Sequence, residues 1–293
     1  MSALAGLVAA LAVAVPQTGN GWMDPVEPFT IAEDLHYVGT VDLAAYLLTS
    51  DEGHILIDAP LEENVELVLA NVRTLGFDPT DIRVQLASHA HFDHVGGLAA
   101  MLEATGAELA LSSADAAYVE QGRDFGLSTA GYRPARAARI LDHLDTVTVG
   151  DLTLTAHLTP GHTPGCTTWS GEARIEGSTY TWVSVCSLSV LPGYRLTGPD
   201  ATYPGQGRDY CASVAHLRSL EPDVFLASHG SFFGLEEKLA ALRAGDARAF
   251  VERERYAEYL DRAEAAIERQ LAAEGHQGGC EALLAAGAGG RRP

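Results

Sequence analysis

Short apolar runs, each closed by turn-forming residues, fill the first part of the chain at 35–38, 44–49 and 54–57, the last ended by Asp58-Ala59-Pro60. The period then changes. Over 62–75 apolar residues recur at helical spacing and the run stops at Gly76, a residue suited to the left-handed turn that ends a helix, before a further strand-like run at 82–87. The second half repeats this rhythm, with strand-like runs at 146–149, 152–158, 180–185 and 224–227 and helix-like runs at 209–220 and 235–242. Residues 248–273 read as one long amphipathic helix rich in Glu and Arg. Strands alternating with helices in both halves predict a layered α/β fold. No stretch has the composition of a linker, so residues 19–274 are expected to form one domain.

The ends differ from the middle. Residues 1–15 form an apolar run with Ala12-Val13-Ala14 as an A-x-A-like cleavage site, which predicts a secretory signal over 1–18, although a basic segment ahead of it is missing. No other stretch approaches the roughly 18 apolar residues that a spanning helix needs. The expectation is an exported monomer, periplasmic or secreted, with no membrane partner. Residues 275–293, rich in Gly and Ala, are expected to be disordered. The remaining composition, 47% hydrophobic and 20% charged, is that of a globular chain. A net charge of −20 argues against a nucleic-acid partner, because phosphate binding depends on clustered Lys and Arg. Four cysteines suit an exported protein with one or two disulfides, and three pairings are open.

The informative segment is Ser88-His89-Ala90-His91-Phe92-Asp93-His94-Val95-Gly96-Gly97, which sets three imidazoles and a carboxylate just after a strand. Imidazole and carboxylate are the ligands zinc accepts at neutral pH, and residues two apart on an extended segment point the same way, so His89 and His91 can grip one ion together. A helix starting near Phe92 would redirect Asp93 and His94 towards a second ion. Two ions need more ligands, and the chain offers His162 and His229, each where an apolar run breaks into a Gly-containing turn. Lone histidines of this kind are more often structural, but four ligands elsewhere reverse that reading. His36, His54, His143, His157, His216 and His276 lack such a context and read as surface or packing residues.

His89-Ala90-His91-Phe92-Asp93-His94, followed by Thr159-Pro160-Gly161-His162 and Ser228-His229-Gly230, resembles the HxHxDH signature set of the metallo-β-lactamase superfamily. The resemblance runs from about Pro28 to the end of the long helix. It implies a four-layer αββα sandwich with a dinuclear zinc site at the rim between two sheets, His89, His91 and His162 on one ion and Asp93, His94 and His229 on the other. The stretches from Gly161 to Trp169, Cys186 to Val190, Leu191 to Tyr194 and His229 to Phe233 resemble subclass B3 β-lactamases in particular. In lactonases and glyoxalase II the position after the strand at 180–185 typically carries a metal-bridging Asp, and in subclass B1 a zinc-binding Cys. This chain has Ser187 there, and strand alternation would turn the neighbouring Cys186 away from the site.

The resemblance implies zinc-dependent opening of a β-lactam amide by a metal-bound hydroxide, since zinc brings the pKa of bound water towards about 7. Asp93 would orient the nucleophile and help move its proton. Ser187 and Ser189 would bind the substrate carboxylate and Tyr194 would assist at the oxyanion, with plain loop capping an equal alternative for each hydroxyl. Asp58 would hold a ligating histidine from behind, or simply form a turn. A Cys166 to Cys186 disulfide is implied by paired cysteines in some subclass B3 enzymes, and a bond between Cys211 and Cys280 stays open. The competing readings are a hydrolase of another small ester, lactone or thioester, and a metal-binding protein without catalysis.

Overall fold

The structure, a computed structural model, describes residues 21–126 and 130–288, with the side chains of 286–288 left aside. The expected signal at 1–18 lies outside the described residues.

The first half lays down a seven-stranded sheet in chain order: β1 (Phe29–Ala32), β2 (Leu35–Tyr37), β3 (Tyr46–Ser50), β4 (Gly53–Ile57), β5 (Ile82–Leu86), β6 (Glu108–Ser112) and β7 (Arg139–Leu141). Its first four strands are antiparallel, and the pairings from β4 onward are parallel. Alternation along the strands splits their apolar residues between two cores. Tyr46, Leu48, Ile55 and Ile57 face one cluster, while Leu47 and Leu56, between them in sequence, face the other. A sheet apolar on both faces needs two covers. On one face lie the helices α1 (Val65–Thr74), α3 (Leu98–Thr105) and α4 (Ser113–Val119), with the single-turn α2 (Phe92–Val95) between α1 and α3 in the chain; Val68, Val72, Leu98 and Met101 fill that layer.

The other face meets a second sheet of order β12-β11-β10-β9-β8, made of β8 (Thr146–Val149), β9 (Leu152–Leu158), β10 (Thr167–Ile175), β11 (Ser178–Val185) and β12 (Val224–Ala227). β3 faces β9, and β4 faces β8. The fourth layer holds α5 (Gln206–Arg218), α6 (Gly230–Phe233), α7 (Leu235–Arg243), α8 (Glu254–Ala273) and α9 (Gly279–Ala288), whose Tyr210, Leu217, Tyr256 and Leu260 are buried. The architecture is therefore the expected αββα sandwich. No helix among the described residues is long and apolar enough to cross a membrane.

Three local expectations change. α8 begins at Glu254 rather than at 248, because Val251 pairs with Val224 of β12 and the Glu252 amide donates to the Asp223 carbonyl. Residues 275–293 were expected to lack order, yet they include α9: Cys280 is bonded to Cys211, with Cα atoms 5.3 Å apart, and Leu283 and Leu284 pack against the core. β10 was not expected, since Gly171 interrupts its apolar face; a Cβ there would come within 3.0 Å of the Trp182 ring, so the gap in the pattern is itself packing. The Cys211 to Cys280 link spans 69 residues, and disulfides typically stabilise by about 2 to 4 kcal/mol, with long loops at the upper end. Replacing both cysteines by alanine should lower the urea midpoint accordingly, and an unchanged midpoint would show that α9 is held by packing alone.

Candidate metal centre

The centre is built on the segment leaving β5. The Ser88 amide donates to Asp58 Oδ1 at 2.6 Å, the Ala90 amide to Asp115 Oδ2 at 2.9 Å and the Phe92 amide to Asp124 Oδ1 at 2.7 Å. Alternate amides are thus fixed to three separate carboxylates, which keeps the segment extended and leaves His89 and His91 on a common side. At Phe92 the chain turns into α2, with His91 still extended at φ −95° and ψ 146°, and that turn re-aims Asp93 and His94.

Two ligand sets result. Ring nitrogens of His89, His91 and His162 lie within 4.8 Å of one another, and so do the nearest atoms of Asp93, His94 and His229. In the second set the Nε2 atoms of His94 and His229 face each other at 3.1 Å, and Asp93 Oδ2 lies 3.3 and 3.6 Å from them. The opposite nitrogen of each ring is held from behind. His162 Nδ1 bonds the Ser189 carbonyl at 2.7 Å, His229 Nδ1 bonds Asp42 Oδ2 at 3.0 Å, and His89 Nδ1 lies 3.0 Å from Ser88 Oγ. His94 Nδ1 lies 3.3 Å from Asp58 Oδ2, an ion-pair contact without hydrogen-bond alignment. His91 differs, with Nε2 held by the Tyr194 hydroxyl at 3.2 Å. Rings anchored on one nitrogen and converging on the other are the arrangement that metal-ligating histidines adopt, so this donor set fits two divalent ions.

The charges are graded across the centre. Burial first, and neighbouring imidazoles second, push His89 and His162 well below the ordinary range, and burial takes His91 to about 4. Three neutral imidazoles therefore make up the first set. Burial opposes a charge on His94, but Asp93 and Asp58 outweigh it and raise that pKa to about 10. Asp93, for which burial is likewise overcome by His94 and His229, stays ionised.

The remaining expected residues distribute as follows. Asp58 sits behind His94 and Ser88, at a positive φ of 65° that costs a residue with a Cβ roughly 1 to 2 kcal/mol. Ser187 and Ser189 line a cleft of about 460 Å³ beside the ligands. The buried Tyr194 hydroxyl donates to the His162 carbonyl at 3.0 Å and lies 3.2 Å from His91 Nε2, so it touches both arms of the first set. Cys166 and Cys186 form a disulfide, with Cα atoms 5.8 Å apart, and their sulfurs lie within 4.8 Å of a His89 nitrogen. Ser187 lines the cleft and Cys186 does not, and a disulfide offers no thiolate to a metal. Asp42, Asp115 and Asp124 were not expected.

The family model described as the metallo-β-lactamase superfamily matches residues 39–176. A hydroxyacylglutathione hydrolase of Anaeromyxobacter dehalogenans is 31% identical over 62% of this chain and 68% of its own length. The chain belongs to the metallo-β-lactamase superfamily. Among solved members of that superfamily, the FEZ-1 metallo-β-lactamase of Legionella gormanii superposes with a TM-score of 0.83 at 35% identity, covering 87% of this chain and 98% of that one. BJP-1, a subclass B3 metallo-β-lactamase of Bradyrhizobium japonicum, gives 0.81 at 32% identity, over 87% and 97%. The chain is thus a hydrolase of the metallo-β-lactamase fold whose structural neighbours include subclass B3 enzymes.

Asp115 accepts from Ala90, Gly165 and the Thr163 hydroxyl and so ties both ligand loops together. Asp115→Asn points an amide donor at those donors, and should cost about 1 to 3 kcal/mol of stability and roughly 10- to 100-fold in metal affinity. Thermal melting and competition with a chromophoric chelator would measure both, and parent-like values would remove Asp115 from the account.

Proposed function

We propose that this protein opens β-lactam rings with two zinc ions, one held by His89, His91 and His162 and the other by Asp93, His94 and His229. Bound there, the ions would supply an acidified water as nucleophile and a Lewis acid for the lactam carbonyl. Asp93, kept ionised, takes the proton the attacking water loses and returns it to the lactam nitrogen as the ring opens. Ser187 and Ser189 bind the substrate carboxylate, while Trp22, Phe92, Phe125, Leu191 and Phe232 give the cleft apolar walls for the substituents.

The observation that carries this reading is Ser187. It stands where β11 ends, with its Oγ accepting from the Ser189 amide at 3.2 Å, so the strand end offers no carboxylate to bridge the two ligand sets. The subclass B3 neighbours add support. The two disulfides accord with export to an oxidising compartment. A second reading, hydrolysis of a thioester or lactone, is favoured by the hydroxyacylglutathione hydrolase match and by a 28% identical N-acyl homoserine lactonase of Azorhizobium caulinodans, which covers 41% of this chain. Zinc-loaded protein assayed side by side on nitrocefin, an acyl-homoserine lactone and a glutathione thioester should turn over nitrocefin fastest. Faster cleavage of either ester would establish the second reading instead.

Two substitutions test the roles. Asp93→Asn keeps the volume but removes the proton acceptor, so turnover should fall about 10²- to 10⁴-fold while the melting temperature moves little. Near-normal turnover with full metal content would disprove the role. Ser187→Ala should keep its metals and raise KM for carboxylate-bearing lactams roughly 10- to 100-fold, as expected for a lost hydrogen bond to a charged group of about 1.5 to 3 kcal/mol. Loss of a metal ion from that variant would make the serine a ligand.

A further inference from the structure

Three histidines with no part in that centre meet beside the second sheet. His157 lies near the end of β9, His216 in the last turn of α5, and His143 in the turn between β7 and β8. His157 Nδ1 and His216 Nε2 face each other at 3.0 Å, and the ring of His143 stands T-shaped to that of His216 with centroids 5.0 Å apart. The same motif occurs in the metal centre, where His94 and His229 nitrogens face at 3.1 Å and the rings of His89, His91 and His162 are spaced at 4.9, 4.8 and 4.6 Å. The outer cluster is a slightly wider version, with spacings of 5.0, 5.1 and 6.3 Å.

The far side of His157 is anchored as a ligating imidazole requires. Its Nε2 lies 2.8 Å from Ser170 Oγ, and with that nitrogen as donor the lone pair sits on Nδ1, towards His216. Burial first, and His216 next, hold His157 down to about 4, and burial lowers His216 as well, so both rings are neutral at pH 7. His143 is exposed, and its Nδ1 accepts from the Leu158 amide at 3.1 Å. As placed, the three rings do not bring their nitrogens within 4.8 Å of one another as the rim sets do, so a shared ion requires the exposed His143 ring to turn and release the Leu158 amide.

We propose that His157 Nδ1, His216 Nε2 and, once turned, His143 form a separate site for a late first-row divalent cation such as zinc or nickel. All-imidazole donors select these ions over magnesium or calcium. The ion joins α5 to the end of β9. Ser213 of α5 already donates to the Pro160 carbonyl at 2.7 Å, so the site adds a second fastening to the segment that delivers His162.

Parent protein and His216→Ala, each dialysed against the same excess of zinc and then analysed for metal, should differ by one zinc per chain. The difference does not depend on how many ions the hydrolytic centre holds. Equal zinc content in the two proteins overturns the site. Should His216→Ala fail to fold, the exposed His143 gives the same test: His143→Ala should bind the extra ion at least tenfold more weakly, and parent-like affinity overturns the site.

Discussion

Three buried carboxylates hold the amides of residues 88, 90 and 92, and the geometry of the metal centre depends on that grip. Beyond the end of β5 the segment has only isolated backbone partners, and a loose one would scatter His89 and His91. Hydrogen bonds to charged acceptors contribute roughly 1.5 to 3 kcal/mol each, so three of them are a substantial share of a domain's net stability of about 5 to 15 kcal/mol. The carboxylates need the arrangement as much as the loop does. Asp115 is almost wholly buried, and burial raises its pKa to about 6 even though three donors surround it. Removing one partner leaves a buried charge short of compensation.

The sandwich supplies the rest of the precision. The segments that carry the two donor sets leave the ends of β5, β9 and β12, and their neighbours leave β4 and β11, so every side chain that could meet an ion is one short loop away from a rigid sheet. Cross-links at the rim keep these loops in step. The Thr167 amide donates to the Ser88 carbonyl, the Ser228 amide to Val185, and the Ala44 amide to Ser228. Tyr194 joins the two arms of the first set by touching His91 and the His162 backbone at once. Asp42 does the same work for the second set, accepting from the Ser231 amide while it holds His229. Burial opposes its ionisation, and those two donors hold it at about 2 nonetheless.

The six side chains that converge at the rim were legible in the sequence because metal-binding motifs have local spacing: His89, His91, Asp93 and His94 stand within six residues, and His162 and His229 stand at strand ends. The alternation of Tyr46 to Leu48 and the helical period of 62–75 were legible for the same local reason. The residues behind the ligands were not. Asp42, Asp115 and Asp124 act through distances closed only by the fold, 187 residues in the case of Asp42 and His229, and a single aspartate in a loop has no local mark. Tyr194 was visible, but its contacts with His91 and the His162 carbonyl were not, because they close only in the fold. The histidines at 143, 157 and 216 read as unrelated surface or packing residues because β9 and α5 meet only in three dimensions.

Two ions belong where the two sets of side chains converge, and anomalous scattering at the zinc edge from crystals of zinc-loaded protein tests this most directly. The predicted map has two peaks at the rim of the sandwich, about 3.5 to 4 Å apart, one among His89, His91 and His162 and one among Asp93, His94 and His229. A single rim peak at saturating zinc, or a pair whose ligands include Cys166 or Cys186, would contradict it.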